Sequence, residues 1–572
     1  MDAKHYDITL LVHDDGLEDF GLYARELVRL EGLQAHVVSL RDFDATQLAS
    51  RVIVSSNLPL LKTETEALRA HAAQGNRLIF FAPAPYVAEA FGFAPTYRTT
   101  VDGMMRLRVD GFSDEPLQFH AALRHLTLPP EAQIVAHVCA QVAPYAPTHE
   151  AAIARVPIGQ GEAYFVLYDL PRSIALTRQG DPRRRLLHGN HVWPGWRAAD
   201  MFADFLNLDC AHLPQADLQC HLLRHWLCQP LAHDTIGLPF VWYFPDNAPT
   251  VLLLSSDEDW STPAQFQAVR DCLRQHDAQI TYYLVEDTCL TPEQLAAWQR
   301  EGDTFSIHPA HEEPLPRTWH DTIRKHRAAF EARFKQSPSA SIRHHIIAWV
   351  GYTHGAQWNG DLGFAWDSNY FTCPPKTQHY MTGGGLPLPI VNENGGVTRV
   401  WELPAQFSDE TTLAAGGFEF SLKLSEDEAF NIIDNLLRAN ATQHHSLLCI
   451  NTHPVSFATY SGGLWDRVLA AAKRLHIPRL SLDAFAQFWE RRNQIHIGAT
   501  QPNDDGAGWV IQLPAHTPVT LLVPAPRNAT FLWNGQALPI GWRAVHGVTY
   551  AVVTLPLAPV APASASLQIT LP

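Results

Sequence analysis

Asp257, Glu258 and Asp259 close a stretch that begins with four apolar residues, Val251-Leu-Leu-Leu254. A short apolar run is a buried-strand signal, so the three acids stand where that strand runs out. Carboxylates crowded at a strand end repel one another unless a metal ion or a guanidinium lies among them. In barrels of parallel strands, chemistry gathers at those carboxyl ends. The plain alternative is a solvated turn before the next helix, with Ser261 or Thr262 as its cap ahead of Pro263.

Later apolar runs end in the same way. His308 and His311 follow Ser306-Ile307, and Arg343, His344 and His345 follow Ile342. Asp367 follows Trp366, and His453 follows Leu447-Leu-Cys-Ile-Asn-Thr452. One carboxylate with two imidazoles is a standard donor set for zinc or another first-row metal, with positions left for water and substrate. Such an ion lowers the pKa of its water and polarises a carbonyl. A second carboxylate can take the water proton, and a protonated histidine can hand one to a departing amine. An arginine beside the base carboxylate holds it in place. The residue types thus point to metal-dependent hydrolysis. A lone histidine is more often a satisfied core or surface residue, and His276, His320 and His444 are read so.

These residues need a scaffold. From about 236 to 492, strand signals alternate with helices over 263–276, 291–302, 318–335 and 426–440, which describes a (β/α) barrel. The helix after Thr291 is signalled by Thr291 as N-cap, Pro292 at its first position and Gln294 closing a capping box. Residues 1–235 read as a separate α/β unit with strands at Ile8–Val12, Ala35–Leu40, Arg51–Ser55 and Arg77–Phe81 and a mostly parallel sheet. A helix over 63–71 is expected to start at a Thr63 cap paired with Glu66. Asp14 and Asp15 follow the first strand and read as a solvated loop. Between His496 and Pro572 the only formal charges are Asp504, Asp505, Arg527 and Arg543. Short alternating runs there, broken by Pro, Gly and Asn534-Gly535, describe an antiparallel β-sandwich over 493–572.

A chain of 572 residues is too long for a single core. Hydrophobic content of 46%, charged content of 17% and a formal charge of -16 describe an ordered protein with no nucleic-acid backbone as partner. The eight cysteines form no CxxC pair or regular framework. No apolar run is long enough to span a bilayer. The N-terminus carries no signal-peptide pattern, so the sequence as it stands reads as cytoplasmic, with an extracellular location open if a leader was removed. The oligomeric state is not legible.

The middle region resembles the polysaccharide deacetylases of the NodB-homology type, carbohydrate esterase family 4, whose fold is a distorted (β/α) barrel. The resemblance implies Asp257 as the base and Asp259 as a metal ligand, with Glu258 the alternative. It implies His308 and His311 as metal histidines and Arg343 as the residue that orients Asp257. Trp366-Asp367 matches a Trp/Asp motif, giving Asp367 a supporting place in the catalytic set, and His453 matches the last motif as the proton donor. The family's histidine pair is four residues apart, whereas here it is three, with Pro309 between, so the third ligand stays open among His311, His344 and His345. Adjacent strand residues face opposite ways, and His345 is taken as the inward one. Where the family has Arg-x-Pro, this chain has Arg343-His-His. The implied activity is removal of N-acetyl or O-acetyl groups from a carbohydrate with a divalent metal, zinc first. A catalytically silent carbohydrate-binding or scaffold protein and a hydrolase of a non-sugar C–N bond are the other readings.

Residues 1–235 resemble class I glutamine amidotransferase-like domains of flavodoxin-like fold, through Gly75…Phe81-Ala-Pro83, Gly159-Gln-Gly161 and Asp169-Leu-Pro171 with Thr177-Arg-Gln-Gly180. Phe81-Ala-Pro-Ala84 offers neither Cys nor Ser where that family keeps its nucleophile, so the unit is expected to be non-catalytic.

Overall fold

The computed structural model describes residues 7–13, 20–44, 46, 48, 50, 52–56, 58–185, 196–231, 235–311, 316–374, 377–499, 506–514, 519–556 and 563–571. Asp14 and Asp15 lie outside them. The protein is mixed α/β, with a curled half-barrel sheet at its centre. No described helix is long and apolar enough to cross a membrane.

The first region is built on a nine-stranded sheet. Its parallel half runs His36–Ser39, Ile8–Val12, Val52–Ser56, Arg77–Phe81, Gly161–Val166. Numbered along the chain this is the order 2-1-3-4-5, in which ligand crevices open at the carboxyl ends. Antiparallel strands Pro147–Ile158, Gln133–Cys139, Gly103–Leu107 and Leu117–Phe119 extend it. The helix expected to begin at Thr63 spans Lys62–Ala73 and has Leu61 at its cap position. Glu64, not Glu66, accepts the Leu61 N–H at 2.6 Å, so the box closes two residues earlier than the Thr signal suggests. The chain turns sharply after Phe81, with Ala82 at φ 43.

The middle region holds the candidate chemistry. Leu252–Asp257 is buried along its whole length, because both faces are covered: Leu252 and Leu254 enter one core, Val251 and Leu253 another. It pairs in parallel with Leu448–Thr452, and along its other edge with Thr281–Leu284 and Arg479–Ser481. Thr304–Ile307 and Phe407–Ser408 complete six strands. The ladder does not close into the barrel expected from the sequence. Ser341–Ile342, Trp366–Asp367, Val397–Glu402 and Leu388–Val391 form a separate four-stranded sheet. Its first two strands are only two residues long, too short to carry a continuous ladder around.

The helices behave as their caps dictate. Pro263–Gln275 starts at Thr262, whose N–H donates to Gln265 Oε1 at 2.7 Å, and buries Phe266, Val269, Cys272 and Leu273 on one face. Pro292–Arg300 starts at Thr291 with the reciprocal Gln294 contacts. Towards the C-terminus, two antiparallel sheets share a core of Trp509, Ile511, Leu521, Val523, Val553 and Leu567. One of them takes in Phe240–Val241, paired with Leu521–Leu522.

Candidate active site

Asp257 is the last residue of its strand, opposite Tyr283 in the register. With a period of two, Ser255 and Asp257 point the same way, and one guanidinium meets both. Arg343 Nη1 donates to Asp257 Oδ1 at 3.0 Å and to Ser255 Oγ at 2.8 Å. Asn451, paired with Ser255, donates to Asp257 Oδ2 at 3.2 Å and accepts from Arg343 Nη1 at 2.5 Å. Arg343 is fully buried and also donates to Ser368 O and Oγ at 2.9 and 2.6 Å. Its plane is flanked by Tyr283 and Phe371, 4.8 and 5.3 Å from their ring centres.

Glu258 turns the opposite way. It is fully buried and accepts from Val285 N at 3.0 Å, Thr288 Oγ1 at 2.6 Å and Cys289 N at 3.3 Å. Burial pushes its carboxyl up to about 7 against those three donors. Glu258 therefore fastens the loop after Thr281–Leu284 and leaves the strand-end position to Asp259.

The backbone then enters the left-handed region at two non-glycine residues, Asp259 at φ 43 and Trp260 at φ 56. Such conformations are strained and cluster at functional sites. The turn brings Asp259 Oδ1 within 3.3 Å of His308 Nε2 and Oδ2 within 3.6 Å of His453 Nε2. Burial alone would raise the Asp259 pKa, but the imidazoles of His308, His453 and His345 hold it below the usual carboxylate range. His308 Nδ1 donates to Arg343 O at 2.8 Å, which leaves Nε2 facing Asp259. Burial opposes charge on His308, yet Asp257 and Asp259 outweigh it and raise the pKa.

His453 follows Leu448–Thr452. Its Nδ1 donates to Asp409 Oδ1 at 2.7 Å, while Nε2 lies 3.9 Å from Asp257 Oδ2. Burial would lower its pKa, but Glu410, Asp409 and Asp259 hold it well above the ordinary value. Glu410 itself is pushed up to about 7 by burial, which His453 opposes and Asp409 reinforces.

His344 and His345 lie beyond the strand Ser341–Ile342, where the one-turn helix His345–Ile347 begins, and their rings go different ways. His345 packs edge-on against His308, with ring centres 5.5 Å apart, and against Trp260 at 5.2 Å. Burial lowers its pKa to about 4, so it is neutral, as a metal ligand must be. His344 faces away. Its Nε2 donates to Asn359 Oδ1 at 3.2 Å, and its Nδ1 lies 2.9 Å from His311 Nε2. His311 is stacked on Trp319 at 4.4 Å, and burial lowers its pKa to about 3. Asn359 Nδ2 in turn donates to Asp367 Oδ2 at 3.1 Å, and Asp367 also accepts from Asn369 N and Nδ2, each at 2.9 Å. His311 and Asp367 thus belong to one buried polar chain. Asp257, Asp259, His308, Arg343, His345 and His453 belong to the strand-end cluster.

Three participants escaped the sequence reading: Asn451, Asp409 and Glu410. The last two follow the strand Phe407–Ser408 and open a one-turn helix, an Asp-Glu doublet like the one at 257–258. That repetition was the available signal.

The donor chemistry fits a divalent cation. Asp259 Oδ1 is buried with no hydrogen-bond partner within standard geometry, 3.3 Å from His308 Nε2. Asp259, Glu410 and His453 each offer a ligand atom within 4.8 Å of the others. A hollow of about 1020 Å³ lies alongside, lined in part by Trp260, Glu286, Asp287, Ala310 and Lys325.

No family model and no curated protein matches the chain. Among solved structures it is similar to a polysaccharide deacetylase from Bacillus cereus, at 14% identity and a TM-score of 0.24, over 41% of this chain and 91% of that one. It is similar to a chitin deacetylase from Colletotrichum lindemuthianum at 12% identity and a TM-score of 0.28, over 42% and 88%. It also matches an exo-beta-1,4-mannosidase from an Opitutaceae bacterium at 19% identity and a TM-score of 0.21, spanning about a quarter of each protein (27% and 26%). At such values, what those proteins act on is not carried over to this chain. The amidotransferase resemblance of residues 1–235 finds no support among these structures.

Proposed function

We propose that this protein is a hydrolase that removes acetyl groups from a carbohydrate with the help of a divalent cation. The observation that carries the reading is the convergence at one strand end of Asp257, held by Arg343 at 3.0 Å, and Asp259, set between His308 at 3.3 Å and His453 at 3.6 Å. Asp259 and His308 would hold the cation, with His345 the further imidazole facing the same space. When bound, such an ion polarises an acyl carbonyl and makes water a better nucleophile.

The chain supplies the proton traffic. Asp257 accepts the proton of the attacking water, and Arg343 and Asn451 fix its carboxylate in place. His453, with Asp409 on Nδ1, presents a protonated Nε2 to the departing amine or alcohol. Trp260, half-exposed at the rim, offers a flat apolar face to a sugar ring. The test is acetate release from N-acetylated and O-acetylated glycans by the metal-loaded protein and by Asp257→Asn. Release that is absent in both, or equal in both, overturns the reading.

The second reading is a carbohydrate-binding protein without turnover. It is favoured by one observation, the withdrawal of His311 into the buried chain with His344. Glycan binding without acetate release would select it.

A further inference from the structure

His276, read from the sequence as a satisfied core or surface residue, is not alone. Cys272 and His276 stand four residues apart on one face of the helix Pro263–Gln275 and its C-cap. The helix Gly462–Arg474 faces them with Asp466. A single carboxylate oxygen meets both side chains: His276 Nε2 lies 2.7 Å and Cys272 Sγ 3.9 Å from Asp466 Oδ1. Sulfur, nitrogen and oxygen all lie within 4.8 Å of one another. With Zn–S about 2.3 Å and Zn–N or Zn–O about 2.0–2.2 Å, a tetrahedral ion needs ligand separations of roughly 3.3–3.8 Å. Small side-chain shifts therefore reach that geometry from here. Cys272 is buried, His276 is half-buried and Asp466 is exposed, so the cluster opens to solvent on the carboxylate side.

We propose that Cys272, His276 and Asp466 form a second cation site, for zinc or another thiolate-accepting first-row divalent ion, which clamps these two helices together. The mixed S, N and O donors suit that class of ion and not calcium or magnesium, which take oxygen ligands. The site has a structural logic. The two helices follow the paired strands that carry Asp257 and His453, so a clamp between them fixes the two halves of the strand-end cluster from behind. Binding breaks the Cys272 S–H bond, forms a sulfur–metal bond and releases the proton to solvent.

The experiment uses the full chain, stripped with a chelator and titrated with Co²⁺. A thiolate-to-cobalt charge-transfer band in the near ultraviolet reports this site alone, because the strand-end cluster contains no thiol among its proposed ligands. The band is expected in the wild type and in Asp259→Asn, and is lost in Cys272→Ser and in the rim variant His276→Gln. Zinc should raise the Tm of Asp259→Asn, which lacks a strand-end ligand, but not that of Asp259→Asn combined with Cys272→Ser or with His276→Gln. No band in the wild type, or a band that survives Cys272→Ser, overturns the proposal and leaves His276–Asp466 an ordinary ion pair. Neither outcome depends on whether the protein deacetylates anything.

Discussion

His453 and Asp409 are locked together twice: the imidazole Nδ1 lies 2.7 Å from Asp409 Oδ1, and the His453 backbone N–H donates to Asp409 Oδ2 at 2.9 Å. One carboxylate thus sets the position and the tautomer of the ring, and together with Glu410 and Asp259 it favours the charged form. Asp409→Asn should lower kcat by about 10²-fold, the lower end of what general acid–base catalysis contributes. Its pH profile is the sharper readout. Glu410 and Asp409 raise the His453 pKa, and in the proposed reaction the protonated ring is the donor, so activity falls as pH rises through that pKa. Removing the carboxylate should move the alkaline limb of kcat/KM to lower pH. An unmoved limb would show that His453 is not the acid.

Asp257 and Arg343 are a buried pair whose separate loss should look different. Asp257→Asn should remove at least about 10² in kcat with metal content unchanged. Arg343→Met leaves the Asp257 carboxylate buried beside no cation at that position and should destabilise the fold by about 3–5 kcal/mol. The double variant should regain part of that stability in urea unfolding. Additive losses would mean the two groups do not interact.

The split of the doublet separates two kinds of histidine. His345→Ala should weaken metal affinity by about tenfold or more, as loss of a ligand does, with little effect on Tm. His311→Ala should lower Tm through the lost packing on Trp319 and leave metal affinity close to wild type. Glu410→Gln distinguishes the rival donor set: if it weakens metal binding more than His345→Ala, the ion sits between Asp259, Glu410 and His453.

Stability should fall as the solution is acidified. Burial lowers the pKa of His225, His379 and His444 to about 4 each. The unfolded chain binds these protons near pH 6.5 and the folded one near 4, so stability is fully present above about pH 6.5 and is lost as pH falls towards 4. Each group contributes up to about 1.4 kcal/mol per pH unit in that window. Urea midpoints at several pH values between 7.5 and 5 should decline, and a flat profile would contradict the burial of these rings.

Much of the strand-end cluster is legible in the sequence, because an apolar run that stops at Asp257, His308 or Thr452 is a local pattern. Helix starts at Thr262 and Thr291 are equally local. What escapes is set by tertiary contacts. Nothing near Glu258 says that its carboxylate is engaged, since its donors Val285, Thr288 and Cys289 lie 27, 30 and 31 positions downstream. Asp409 sits after a two-residue strand with no apolar run to mark it. The pairing of His311 with His344 joins residues 33 positions apart, and Cys272 meets Asp466 across 194. Phe240–Val241 joins a strand almost three hundred residues downstream, a pairing that no local pattern announces.

Arg492 closes the last helix of the middle region, Leu482–Arg492, and is buried without a carboxylate partner among its hydrogen bonds. Its guanidinium donates instead to Trp242 O at 2.9 Å, Val241 O at 2.8 Å, Leu30 O at 2.9 Å and Arg29 O at 3.4 Å. A single side chain therefore buttons together the tail of an early helix, the crossing strand and the far end of the half-barrel. Excising the middle segment for expression on its own would remove the Arg29 and Leu30 acceptors and uncover the guanidinium. The molecule should be inherited, purified and melted as one piece.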